Sequence, residues 1–223
     1  ALVEADIDYE VIYAGKAFLV QAFCKILAEE GFGLDASSGG EIYSALAAGF
    51  PAKRIYFHGN NKSEEEISFA IENNVGTIVI DNRNELESVN RIAGGKKCLI
   101  NIMIRVTPGV DTHTHSKIRT GQLDSKFGFP ISEMKDFFPE ILSKENLIYK
   151  GLHCHIGSQL FETEPYFLAI EEMVQLIKII FKEYQTKTEY LSLGGGLGVK
   201  YTDRDKPVSI KDFVQQIIKK VKK

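Results

Sequence analysis

The residues best placed to do chemistry in this chain stand where apolar runs give way to loops. Lys16 closes the run Tyr13-Ala-Gly-Lys-Ala-Phe. A lysine leaving an apolar strand is partly desolvated, which lowers its pKa and makes its amine nucleophilic toward an aldehyde. A solvated loop lysine is the ordinary alternative for any single lysine. The run Gly194-Gly-Gly-Leu-Gly198 follows another apolar stretch. Without Cβ atoms its backbone N–H groups can approach an anion, and a following helix would add its dipole, so it is read as a phosphate-binding loop rather than a flexible turn. His153 and His155 flank Cys154, so both imidazoles would share one face of a strand. A second pair, His113 and His115, lies further upstream. Two His-x-His pairs invite a zinc reading of the amidohydrolase kind, but there the pair ends the first strand, where this chain has Lys16. An imidazole stacked on a flat cofactor, or hydrogen-bonded inside the fold, is preferred, and no metal is expected. Ser158 and Gln159 could donate to an anion, or form an ordinary polar turn. Arg105 sits inside the apolar run INIMIRV and needs an anionic partner, for which Asp35 is a candidate. For either residue a scaffold ion pair and a ligand contact are equally open. Asp111, Asp124, Ser125 and Lys126 form a polar loop. Lys25, Lys53, Lys62, Lys117, Arg119 and the terminal lysines read as solvated surface.

Positioning these residues falls to alternating strands and helices. Apolar runs at Tyr9–Ala14, Gly31–Ala36, Arg54–Gly59, Gly76–Asp81, Cys98–Val106, Leu147–Gly157 and Thr188–Gly196 predict strands. Amphipathic stretches lie between them. In one, Phe167, Ile170, Val174, Ile177 and Phe181 recur at helical spacing. Ser38-Gly-Gly-Glu41 and Ser63-Glu-Glu-Glu66 each fit a capping box. The pattern gives seven βα units and a parallel sheet, ending in a helix over VSIKDFVQQIIKKVKK. Two arrangements compete: an open doubly wound sheet, or a (β/α)8 barrel that stops before its eighth strand. The first would want GxGxxG after its first strand, where Gly15-Lys-Ala-Phe18 stands instead, so the barrel is preferred.

The chain's 223 residues, 44% of them hydrophobic, suit one large core. With 27 basic and 30 acidic residues the net charge is -3, and there is no long basic run before the final helix, so nucleic acid is not expected as a partner. Three scattered cysteines form no CxxC pair, which suggests a reducing compartment. No apolar run reaches about 18 residues and the first residues are acidic, so neither a membrane span nor a signal peptide is expected. A soluble, cytoplasmic protein is the reading.

Taken together, YAGKAF, GLDASSGGE, FHGNNKS, RVTPGVDTHTHSKIRTGQLDSKFGFP, GLHCHIGSQ and LGGGLG resemble, in this order, the motifs of the diaminopimelate decarboxylases. These are alanine racemase-like enzymes dependent on pyridoxal 5'-phosphate (PLP). The resemblance runs from Tyr13 to about Tyr201. It implies a PLP-binding (β/α)8 barrel domain over residues 1–223, truncated after the seventh βα unit, with the C-terminal β-domain absent. It further implies decarboxylation of meso-2,6-diaminopimelate to L-lysine and CO2, the last step of lysine biosynthesis, through an aldimine on Lys16. His155 would stack on the cofactor ring. Ser158 and the backbone of Gly194, Gly195 and Gly196 would hold its phosphate, while Asp35, Arg105 and Lys126 would line the site. The full-length form would be a homodimer, and the 223 residues alone would be inactive. Phe18 stands where the family has Asn, and the family's EPGR and CESxD motifs are not found. The alternatives are a non-catalytic PLP-homeostasis barrel, or a related decarboxylase acting on arginine or carboxynorspermidine.

Overall fold

The computed structural model describes residues 7–110 and 127–222. Its strands are β1 (Ile12–Ala14), β2 (Gly33–Ala36), β3 (Ile55–Phe57), β4 (Thr77–Ile80), β5 (Ile100–Thr107), β6 (Phe129–Pro130), β7 (Leu147–His153) and β8 (Tyr190–Ser192). The helices between and after them are α1 (Gln21–Glu29), α2 (Gly39–Ala47), α3 (Glu64–Glu72), α4 (Arg83–Gly95), α5 (Met134–Leu142), α6 (Glu164–Tyr184) and α7 (Ile210–Val221). The strands pair in the order β1-β2-β3-β4-β5-β7-β8, all parallel, with the short β6 paired to the end of β5.

Strictly sequential order decides between the two expected architectures. A doubly wound sheet reverses direction at a switch point, whereas a barrel wall advances one strand at a time. Here no reversal occurs, so the sheet is an arc of α/β barrel wall with β1 and β8 at its two ends.

The helices cover one face of that arc. Leu34, Ala36, Ile55, Phe57, Ile78, Ile80, Ile102, Ile104, Val106, Leu152 and Cys154 form one buried cluster with helix residues such as Ile42, Ile67, Leu86, Phe138 and Met173. Because side chains alternate along a strand, the residues between them face the concave side. That set includes Asp35, Tyr56, Met103, Arg105 and His153. One irregularity matters. Between Ile102 and Met103 the pairing of β5 with β7 shifts by one residue, leaving Lys150 as an extra residue in β7. Tyr149, before the bulge, packs edge-on against Phe138 of α5. His153 would share its face in a regular strand, yet the bulge turns it to the concave side.

Two local expectations need correction. The Ser63 capping box is complete, but at Ser38 only half of it forms: Ser38 accepts from the Glu41 N–H, while the Glu41 carboxylate accepts from Ser37 at 2.6 Å. In α6 the buried stripe is Tyr166, Ala169, Ile170, Met173, Leu176 and Ile180, displaced from the expected one, and Phe181 is exposed. The cause is a second neighbour. Phe167 and Glu171 face α7, where Lys220 pairs with Glu171 and lies over the Phe167 ring.

Close strand approach makes one glycine critical. A Cβ at Gly151 would stand 2.1 Å from the Tyr190 carbonyl oxygen, whereas one at Gly95 in α4 would meet nothing within 4 Å. Gly151→Ala should therefore force β7 and β8 apart and destabilise the fold by at least about 2 kcal/mol. Gly95→Ala should be neutral or stabilise by up to about 1 kcal/mol, because alanine loses less entropy in a helix. Urea denaturation of both variants checks the pair.

Candidate active site

The candidate groups gather at the C-terminal ends of the parallel strands, on the concave side. Lys16 lies in a 3-10 turn, Gly15–Ala17, directly after β1, and its side chain is exposed. The described residues therefore do not supply the desolvation expected from its position. Among them Lys16 has no hydrogen-bond or ion-pair partner, so its amine is free to react.

Register carries the neighbours into place. Ala14 pairs with Asp35, so the lysine turn lies beside the end of β2. Arg105, His153 and Ser192 are lateral partners across β5, β7 and β8. Asp35 does not pair with Arg105, as the sequence suggested. Its partner is His58, whose Nδ1 is 3.4 Å away and hydrogen-bonds Oδ2. Arg105 donates instead to Asp81 at 2.9 Å and lies over the Phe127 ring. The His58 ring meets the His153 ring edge-on at 4.5 Å, and His153 Nδ1 shares a 2.9 Å hydrogen bond with Ser192 Oγ.

Lys62 also departs from expectation. Its side chain is only 1% exposed, not solvated, and its Nζ donates to Glu85 and to the Gly59 carbonyl, each at 2.6 Å. Desolvation outweighs attraction in this pair, pulling the lysine down and pushing the carboxyl up from their usual ranges. Glu85 also accepts the Asp81 N–H at 3.2 Å. The Lys62–Glu85 and Arg105–Asp81 ion pairs thus share one buried framework.

Burial sets the histidine charges. Desolvation holds His155 down to about 4, helped by the nearby Lys16 and Arg105 cations, and it holds His153 well below the usual imidazole range. Both rings are neutral at neutral pH. Three buried polar atoms, Asp35 Oδ1, His58 Nε2 and His153 Nε2, have no hydrogen-bond partner among the described residues. Unsatisfied polar atoms gathered at one site point to a missing polar group.

The glycine run lies immediately after β8. Gly194 (φ +69°) and Gly196 (φ +103°) have left-handed backbones, and a Cβ at Gly194 would stand 2.9 Å from His155 Nδ1. The N–H groups of Gly195 and Gly196 donate to nothing among the described residues, and a Cβ on Gly195 would meet open space. Such free N–H groups on bare backbone could hold an anion. Ser158 is exposed nearby, in the same loop as His155. Gln159 is structural instead, clamping Val199 by accepting from its N–H at 3.0 Å and donating to its carbonyl at 2.7 Å. His113, His115, Asp111, Lys117, Arg119, Asp124, Ser125 and Lys126 lie outside the described residues. Among those described, no cluster of three or more His, Cys, Asp or Glu could hold a metal, and no helix is long and apolar enough to cross a membrane.

A barrel wall with a free amine, an anion cradle and neutral imidazoles at one rim is the architecture of an aldehyde-cofactor site. Over residues 2–223 the sequence matches the pyridoxal-binding domain of the pyridoxal-dependent decarboxylases, and the chain belongs to that family. It is 42% identical to the diaminopimelate decarboxylase of Bacillus subtilis (strain 168), across 100% of this chain and 51% of that one. Among solved structures it superposes on diaminopimelate decarboxylase from M. jannaschii in complex with L-lysine, with TM-score 0.87 and 34% identity, covering 98% of this chain and 50% of that one. The Helicobacter pylori enzyme complexed with L-lysine gives TM-score 0.86 at 31% identity, over 96% and 54%. The chain spans about half the length of these relatives. The residues fit PLP: an amine for the aldehyde, free N–H groups for the phosphate, and buried polar atoms left without partners among the described residues.

The histidines make stability depend on pH. Their folded pKa values lie below the unfolded value of about 6.5, so their contribution is complete above that pH and is lost as pH falls toward about 4. The urea midpoint should drop between about pH 7.5 and about pH 5, and His153→Gln should make the drop shallower. Equal slopes for wild type and variant would contradict this account of His153.

Proposed function

We propose that these residues form the cofactor-binding part of a PLP-dependent diaminopimelate decarboxylase, converting meso-2,6-diaminopimelate to L-lysine and CO2. The observation that carries the reading is the convergence of Lys16, the Gly194–Gly196 cradle and neutral His155 on one rim. The named activity of relatives about 40% identical supports the substrate, as does the L-lysine held by two solved structures.

The chain's own residues divide the work. Lys16 would supply the amine for the cofactor aldehyde. Gly195 and Gly196 N–H groups, with the Ser158 hydroxyl, would hold the phosphate. His155, kept uncharged by burial, would offer the cofactor a flat ring without adding a cation. Asp35, bonded to His58, and Arg105, bonded to Asp81, hold their charges at fixed positions around the substrate. When bound, PLP supplies an electron sink for the pair left as CO2 departs. The reading extends to a barrel domain over residues 1–223, acting within a homodimer of the relatives' length in the cytoplasm.

The test is a visible spectrum with PLP before and after borohydride, for wild type and Lys16→Ala. A reducible band present only in wild type is expected, whereas identical spectra would sink the assignment of Lys16. In a protein of the relatives' length, Lys16→Ala should lower CO2 release from meso-diaminopimelate by about a hundredfold or more. Faster release from L-arginine or carboxynorspermidine than from meso-diaminopimelate would refute the substrate.

A further inference from the structure

The glycine cradle needs something to aim it, because three successive glycines have no side chains of their own to hold them. Two contacts meet the loop from below. Ser192 Oγ accepts from the Gly194 N–H at 3.4 Å. Tyr166 of α6 donates its hydroxyl to the Gly195 carbonyl at 3.2 Å. Tyr166 is 1% exposed, and its ring packs edge-on against Phe213 of α7 with centroids 4.9 Å apart. A Cβ on Gly196 would stand 3.3 Å from the same hydroxyl, so the contact is made against bare backbone.

A peptide group is planar and trans, so the carbonyl of one residue and the N–H of the next point in opposite directions. Fixing the Gly195 carbonyl toward α6 therefore turns the Gly196 N–H away from α6. Left-handed glycines resist this rotation little, so one hydrogen bond decides the orientation. The hydroxyl remains a donor, since burial pushes its pKa up to about 12. Beyond the cradle the loop is held again, by Leu160 N–H donating to the Gly196 carbonyl at 2.9 Å and Gly198 N–H donating to the Leu160 carbonyl at 2.8 Å.

We infer that Tyr166 is a positioning residue for the cofactor phosphate: by holding the Gly195 carbonyl it aims the Gly196 N–H at the anion. Tyr166 does not itself touch the phosphate. The inference rests on the PLP reading of the site and deepens it. It assigns phosphate affinity partly to a helix side chain packed on the convex side of the wall.

Tyr166→Phe isolates the hydroxyl, because the ring and its packing on Phe213 stay. The readout is the ratio of dissociation constants for PLP and for pyridoxal, which has the same aldehyde and ring but no phosphate, measured by spectroscopic titration. Wild type should prefer PLP, and Tyr166→Phe should weaken PLP by about five- to tenfold with pyridoxal unchanged. Phe213→Leu serves as the packing comparison and should lower the melting temperature without altering the ratio. A wild type with no preference for PLP over pyridoxal overturns the phosphate reading and this inference with it. If wild type prefers PLP but Tyr166→Phe retains the same ratio, only the positioning role falls. An equal shift of the ratio in Phe213→Leu overturns that role too, since helix packing alone would then account for it.

Discussion

Side chains on a β-strand point alternately to its two faces, and each strand here buries one face against helices. Every other residue is therefore delivered to the concave side, whatever its chemistry. Parallel pairing then lines these residues up laterally, so Arg105, His153 and Ser192 become neighbours although they are distant in sequence. The site is a consequence of packing on the opposite face: Leu152 and Cys154 must be outside for His153 to be inside.

The concave side would be a poor place for charge without partners, and the structure answers with pairs rather than exposure. Asp81 holds Arg105, Glu85 holds Lys62 and the Asp81 backbone, and His58 attends Asp35. Such buried pairs add little net stability, because desolvation cancels much of their attraction. Their effect is positional, since breaking one leaves an uncompensated charge and every member has few alternatives. The histidines resolve the same difficulty differently, by remaining neutral.

Much of this was legible in the sequence, for physical reasons. Seven parallel strands and the glycine loop announce themselves because β-branched runs and glycines have strong local preferences, and both helix starts at Ser38 and Ser63 were marked by their caps. Partnerships were not legible. Arg105 needed an anionic partner and Asp35 was a candidate for it, yet register gives them to Asp81 and His58 respectively. Lys62 resembled any loop lysine because its burial comes from α4 and from β3, through Glu85 and the Phe57 ring. Tyr166 was missed since it lies outside the expected Phe167–Phe181 stripe, and only the loop above shows what its hydroxyl does.

The extra residue at Lys150 divides β7 into two halves whose faces are out of step. The first half, ending at Tyr149, packs on Phe138 of α5 and bonds Thr188, while the second, beginning at Gly151, delivers His153 to the site and leads into the loop that bears His155 and Ser158. The join lets the two halves vary separately: packing changes before it need not rotate the chemistry after it. Drawing Lys150 into the ladder as an ordinary paired residue would bring His153 out among the helices and Leu152 into the hollow, whereas deleting it would leave both where they are. The strand behaves like a sentence with a comma, and its meaning changes with the punctuation though every other residue stays the same.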